Sequence, residues 1–175
     1  HDVAYQMLPR AYRKSYHQQV ARWLASIAKV NPDAFSLLAD HYTKADEPLQ
    51  ALRAYKAAAM YQFEQGYFKE VGQSIDNGLQ IGGIVPRVDA LPYTSTLWLL
   101  KGRVAYWKRD YARATAESKT ALMLMHELPA TELLDERVQA TVTLGNALTS
   151  IGSFGEALDA LTQSYQLTEY AELSV

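Results

Sequence analysis

The stretch 98-WLLKGRVAYWKRDYARATAESKTA-121 returns in register as 141-TVTLGNALTSIGSFGEALDALTQS-164. Gly102 falls on Gly145, Tyr111 on Phe154, Ala114 on Ala157 and Ala121 on Ser164, each pair separated by the same 43 positions (145 − 102). A constant offset of this kind predicts stacked helical hairpins. Each hairpin buries its apolar face against its neighbour, and the array offers an extended surface to other chains.

Working outward, the spacing of apolar residues predicts further helices. From Pro9 to about Lys29, Tyr12, Tyr16, Val20, Trp23, Leu24 and Ile27 recur every three or four residues, and Asn31-Pro32 ends the pattern. A short helix follows over 33–44, with Asp33 at its start. The next, over 48–65, opens on Pro48 and closes at Gly66. The segment 67–81 carries Phe68, Val71, Ile75 and Leu79 on one face, while Gly72 and Gly78 predict local mobility or a close backbone approach. This segment lacks a full partner of its own and is expected to pair with the C-terminal part of 48–65. Two glycines and two prolines in 82-GGIVPRVDALP-92 mark a joint. Four helices are predicted beyond it, over about 93–108, 111–126, 131–151 and 154–170. No segment keeps a two-residue alternation for long, so the fold is expected to be all-α. The organisation is a linking helix (1–31), an irregular repeat section (32–81), the joint (82–92) and two regular repeats (93–175).

Composition limits the function classes. The 175 residues are 49% hydrophobic, enough for a continuous core. Lys and Arg number 17 against 19 Asp and Glu, so no global field holds nucleic acid or an anionic membrane. With no Cys, disulfides, thiolate nucleophiles and Cys-ligated zinc are excluded, which suits a cytoplasmic location. No signal-peptide pattern and no membrane-spanning apolar run is visible. Charge is uneven along the chain: eight acidic residues stand against the single Arg137 from Glu127 onward, whereas the first thirty residues hold five basic ones against Asp2. Such asymmetry suits pairing between one end of the array and a neighbouring domain or copy.

The spacing within the repeat resembles the tetratricopeptide repeat. Trp98, Gly102 and Ala105-Tyr106 on the first helix, then Tyr111 and Ala114 on the second, stand at that family's positions, as do Leu144, Gly145, Leu148, Phe154 and Ala157. The segment 35-FSLLADHYTKADEPLQALRAYKAA-58 matches through Phe35, Leu38, Ala39, Tyr42, Ala51, Tyr55 and Ala58. The resemblance implies a right-handed α-solenoid of about eight helices. Its usual period is about 34 residues, so the 43-residue spacing implies longer helices or a longer Met125–Asp135 connection.

The N-terminal region is also similar to the segment that follows the ATPase module of large bacterial signalling ATPases, some cyclase-linked and some of the transcription-regulator type. The similarity rests on Asp2-Val3-Ala4-Tyr5, on the basic helix with His17, and on Ala39-Asp40-His41-Tyr42. It implies that the chain is the helical interaction or sensor portion of a longer protein whose catalytic parts lie elsewhere.

Chemistry-bearing motifs are sparse. No G-x-x-x-x-G-K-[ST] string offers a phosphate cradle, and His1, His17, His41 and His126 lack metal-ligand spacing. Asp46-Glu47 and Asp135-Glu136 sit at predicted helix starts, where they complement the dipole. No catalytic residue, metal or cofactor is therefore expected. The basic and aromatic cluster of Trp98, Lys101, Arg103, Tyr106, Trp107, Lys108, Arg109 and Arg113 suits an acidic peptide. By the family's geometry the concave groove takes Arg103, Tyr106 and Trp107 from one repeat, Val142, Asn146 and Thr149 from the next, and Ser36, Asp40 and Thr43 from the earlier one. The two-carboxylate clamp of chaperone-binding relatives is not reproduced, because Val142 stands where a Lys is wanted. The expected partner is a protein, a peptide or the parent's own domains, with a small effector as the alternative and a homodimer through the terminal helices, where Tyr165, Leu167 and Tyr170 need cover.

Overall fold

The computed structural model describes residues 7–173, with side chains as far as Thr168. The phrase Asp2–Tyr5 and the side chain of Tyr170 lie outside the described residues. The described chain is all-helical: α1 (Arg10–Ala28), a 3₁₀ turn (Pro32–Ala34), α2 (Phe35–Lys44), α3 (Pro48–Glu64), α4 (Phe68–Gly82), α5 (Arg87–Trp107), α6 (Tyr111–His126), α7 (Leu134–Ser150) and α8 (Phe154–Leu173). It divides into two compact units, residues 1–90 and 91–175.

Four hairpins share one turn. Each first helix ends with a residue in the left-handed region, Asp46 (φ 61°), Gly66 (φ 76°), Arg109 (φ 61°) or Gly152 (φ 83°). The amide of the following residue then donates back across the turn: Glu47 to Tyr42 O (3.0 Å), Tyr67 to Gln62 O (2.9 Å), Asp110 to Ala105 O (3.0 Å) and Ser153 to Leu148 O (2.9 Å). This satisfies carbonyls that a helix C-terminus leaves open and reverses the chain within three residues. Arg109 and Gly152 are 43 residues apart (152 − 109), the interval of the sequence motif. Asp46 precedes Arg109 by 63 (109 − 46), as Ala39 precedes Gly102 (102 − 39).

The small residues of the motif are where the two helices of a hairpin cross. A Cβ built on Gly102 would lie 2.8 Å from Ser118 Oγ and 3.2 Å from the Ser118 backbone nitrogen; one on Gly145 would lie 2.6 Å from Leu161 Cγ. Ser118 and Leu161 are themselves 43 apart (161 − 118). Ala114 and Ala121 in one hairpin, Ala157 and Ser164 in the next, are buried beside these crossings. Gly72 behaves differently, since a Cβ there meets nothing, so no close approach explains it. In the first unit α3 packs against both α2 and α4, which supplies the partner that the 67–81 segment was expected to need. Ala21, Leu24, Leu38, Ala39, Ala51 and Tyr55 form its core.

Two boundaries differ from expectation. The predicted 82–92 joint shrinks to residues 83–86, because α5 begins at Arg87 and holds Pro92 inside it. Pro92, the sixth residue of α5, removes the amide that would pair with the Val88 carbonyl. Downstream hydroxyls bond the local carbonyls: Ser95 Oγ donates to Leu91 O (2.8 Å) and Thr96 Oγ1 to Pro92 O (3.0 Å). Helix α7 begins at Leu134 rather than 131 because Leu133 adopts φ 53°, φ > 0 being a conformation that glycine takes far more readily than leucine. Its side chain is held against Leu99, Ala121, Met125 and Ala140.

The lengthened connection after α6 is organised by Arg137. Its guanidinium, 7% exposed, donates from Nη2 to the carbonyls of Met125, Leu128 (3.2 Å) and Pro129 (3.2 Å), and from Nε to Glu132 O (3.0 Å). Burial lowers its pKa, with Glu132 opposing, but a guanidinium stays charged at neutral pH. One cation thus offsets the α6 C-terminal dipole and adds donors to a turn whose own amides reach only the Met125 and Pro129 carbonyls among these four, from Leu128 and Glu132.

Helices α1 and α2 meet through two histidines. His17 Nδ1 and His41 Nδ1 are 3.0 Å apart with ring centroids at 4.9 Å, so one neutral ring donates and the other accepts. Both pKa values are lowered: at His17 by burial, then by His41 and Lys44; at His41 by burial, then by Lys44, with Asp40 opposing.

Three outcomes follow from these contacts. Gly102→Ala and Gly145→Ala should each lower stability by about 1–3 kcal/mol, because overpacking outweighs the helix-propensity gain of about 1 kcal/mol, whereas Gly72→Ala should raise stability by up to that gain; urea melts of the three variants check the signs. Arg137→Met should cost about 2–4 kcal/mol by leaving the Leu128 and Glu132 carbonyls unpaired, and Arg137→Lys should recover little, because a point charge cannot fork to several acceptors. The depressed histidine pKa values make the folded state bind fewer protons than the unfolded one. Their contribution is complete above the ordinary value of 6.5 and is lost as pH falls through the lowered folded values. The melting temperature should fall on acidification below 6.5, and His17→Gln should flatten that dependence.

Candidate functional site

In the second unit, the residues singled out from the sequence lie on α5 and α7. Arg103 Nη1 donates to Gln139 Oε1 at 2.7 Å, which ties α5 to α7. Tyr106 packs on Ala105, Ala114 and Ala147, and its ring lies 5.5 Å from that of Tyr111. Trp107 is 66% exposed. Asn146 and Thr149 are exposed on α7, with Thr149 Oγ1 donating to Gly145 O at 2.9 Å. Five of the expected groove residues, Arg103, Tyr106, Trp107, Asn146 and Thr149, therefore sit on two helices held together by a side-chain hydrogen bond and by alanine packing. Tyr106 is partly committed to that packing, and Trp107 offers the largest open apolar area.

The wider basic cluster disperses. Lys101 Nζ stands 4.9 Å above the Trp98 ring, Arg113 pairs with Glu117 at 3.2 Å, and Arg109 occupies the left-handed turn position.

Asp40 belongs to the first unit and lines a pocket of about 230 Å³ made by α2, α3 and α4. Ser36, also expected in the groove, lines it too. Tyr55, 5% exposed, donates its hydroxyl to Asp40 Oδ1 at 2.8 Å. Burial is the main cause that raises the Tyr55 pKa, with Asp40 adding to it and Thr43 and Asn77 opposing, so the phenol stays protonated and keeps donating. Gln62 Nε2 donates to Ser36 Oγ at 2.8 Å, which leaves Gln62 Oε1 buried without a hydrogen bond. Glu70, Gln73, Ser74 and Asn77 complete the wall from α4. The α3 and α4 residues escaped sequence reasoning because 67–81 stood there without a repeat register. Extending the Asp46 turn pattern to Gly66 is the signal that places α4 against α3.

A second, basic pocket of about 280 Å³ is lined by Arg10, Arg13, Lys14 and Lys44 with Thr43 and Asp46. Lys14 reaches Asp46 at 3.2 Å, and Gln18 Nε2 donates to Glu47 at 2.8 Å. These contacts tie α1 to the α2–α3 turn. Among the described residues no group of three or more His, Asp or Glu side chains is arranged to hold a metal ion, and no helix is long and apolar enough to cross a membrane.

No family model matches the chain, and no curated protein matches it. Among solved structures it is similar to BtubC (BKLC) from P. vanneervenii, with a TM-score of 0.56 and 12% identity over 94% of this chain and 93% of that one. At that identity the likeness is one of fold.

Proposed function

We propose that the chain is a tetratricopeptide-like α-solenoid module that binds a peptide or partner domain through the first helices of its hairpins, without catalysis of its own. The observation that carries this reading is the row formed by Arg103, Tyr106 and Trp107 on α5 and by Asn146 and Thr149 on α7, held in register by the Arg103–Gln139 bond. Exposed tryptophan beside a guanidinium is the composition that binding hot spots favour. The hairpin periodicity supports the solenoid assignment, since turn, crossing and buried alanines share one interval.

The parent would be a larger bacterial signalling ATPase or regulator acting in the cytoplasm, with this chain as its interaction portion. Contact between His17 and His41 supports that resemblance, because both belong to the phrases that carry it. A second reading, a sensor for a small effector, is favoured by the pocket that α2, α3 and α4 form around Asp40 and Tyr55.

Immobilised chain should retain a specific protein from a bacterial lysate, and Arg103→Glu combined with Trp107→Ala should lose it while the far-UV circular dichroism melt stays unchanged. Retention of nothing, or of the same proteins by both baits, overturns the groove assignment.

A further inference from the structure

The basic pocket of the first unit gathers like charges from two helices. Arg10, Arg13 and Lys14 line it from α1 and Lys44 from the last turn of α2, against Asp46 as its single carboxylate. Lys14 takes up that carboxylate at 3.2 Å, so Asp46 does not guard the recess against an anion. The side chains of Arg10 and Lys44 are exposed and make no ion pair or hydrogen bond among the described residues. Their field is not confined to solvent: burial is the main cause that lowers the pKa of both His17 and His41, and the charge of Lys44 adds to it at each. The three cations of α1 also stand where a helix tolerates them least. The first turn of α1 contains no acidic residue and its N-cap, Pro9, supplies no side-chain bond, while the positive end of the helix dipole disfavours cations there. Like charges gathered at the wrong end of a helix cost stability, and breaks of a local rule of this kind concentrate at functional sites.

We infer that this pocket receives a phosphomonoester dianion, with Arg10 from α1 and Lys44 from α2 as its direct ion-pair partners and Arg13 and Lys14 as the positive flank. A guanidinium presents a fork that matches two phosphoryl oxygens, and an ammonium adds a point charge for the third. A phosphomonoester carries a charge of about −1.5 to −2 at pH 7, so it gains more from clustered cations than a singly charged carboxylate does. Arg13 and Lys14 are half-buried, and Lys14 is tied to Asp46. The flank is therefore set before the anion arrives, which limits the ordering cost to Arg10 and Lys44. A recess of about 280 Å³ lies just below the usual range of about 300–1,000 Å³ for whole organic ligands, so it takes a phosphoryl group and its ester carbon rather than a whole nucleotide. The same dianion can arrive on a free small phosphomonoester or on a phosphoserine side chain of a protein segment. The inference does not rest on the row of α5 and α7 residues.

The test titrates the full chain with methyl phosphate at about pH 7.5, where the dianion dominates, with chloride adjusted to hold the ionic strength constant. The backbone amides of Arg13, Lys14, Thr43 and Lys44 are followed by ¹H–¹⁵N NMR. Saturable shifts at these amides are expected, with affinity weakened at least about tenfold in Arg10→Gln/Lys44→Gln, tenfold being the change for one modest charge-assisted contact. Without phosphate, Arg10→Gln alone should melt no lower than the unsubstituted chain, because it relieves the α1 dipole. A lower melting temperature gives Arg10 a structural role and overturns the inference. So does the absence of saturable shifts up to about 50 mM methyl phosphate, a concentration that reveals even millimolar binding. Equal shifts at Lys108 and Arg109, or undiminished binding by the double variant, overturn it as well. A second arm compares a capped phosphoserine peptide with its serine counterpart. Tighter binding of the phosphopeptide than of methyl phosphate, with none by the serine peptide, assigns the dianion to a protein partner; equal or weaker binding assigns it to a free small phosphomonoester.

Discussion

The close crossing of the two helices in a hairpin is the constraint on which the repeated structure depends. At Gly102 and Gly145 the space for a single methyl group is already taken by Ser118 or Leu161. A helix can approach its partner this closely only where it presents no side chain, and the approach brings Ala114, Ala121 and Ala157 within the buried layer. The glycines weaken their own helices by about 1 kcal/mol each. Burial of the alanine layer and dispersion contacts along the crossing offset that loss. The left-handed turn residue completes the device, because a reversal within three residues lets the second helix meet the first from its first turn onward.

The first unit solves the same problem with less extreme means. Ala39 replaces glycine at the matching position and is fully buried, opposite an α3 that carries the large Tyr55. Because α3 serves as partner to both α2 and α4, it presents side chains to two neighbours instead of one. Tyr55 and Gln62 are consequences of this. Each is long enough to reach α2, and each places a polar atom there, on Asp40 and on Ser36. Three helices supplying polar groups to one site create a pocket, where the regular hairpins of the second unit offer an exposed row.

Much of this was legible in the sequence, and the exceptions have physical reasons. The helices, their glycine crossings and the polar turns could be read because they rest on local rules: apolar periodicity, small residues at fixed spacing, and turn residues. Pro92 misled, since proline reads as a break, yet inside α5 it removes only one hydrogen bond, the one to the Val88 carbonyl. Leu133 could not be read at all. Its positive φ is imposed by the packing of its side chain on Met125 and Ala140, which is tertiary information. Arg103's bond to Gln139 and the burial of Gln62 Oε1 depend on pairings across helices. No periodicity encodes those.

Overall charge proved a poor guide to local recognition. A net charge of −2 excludes a global field, yet the first unit alone holds one pocket bordered by Arg10, Arg13, Lys14 and Lys44 and another bordered by Asp40 and Glu70. Opposite fields survive close together because screening by salt and water confines each to roughly 8–10 Å. The 3.2 Å pair between Lys14 and Asp46 adds little free energy at the surface, but it places α1 against the α2–α3 turn, where the histidine contact is also made. Helix α1 is thus docked by polar contacts at its start and apolar ones further along, at Ala21, Leu24 and Ala28. Acid that charges His17 and His41 acts on the polar half alone. The expected response is therefore a loosening of the α1 N-terminal half while the Leu24 contacts persist.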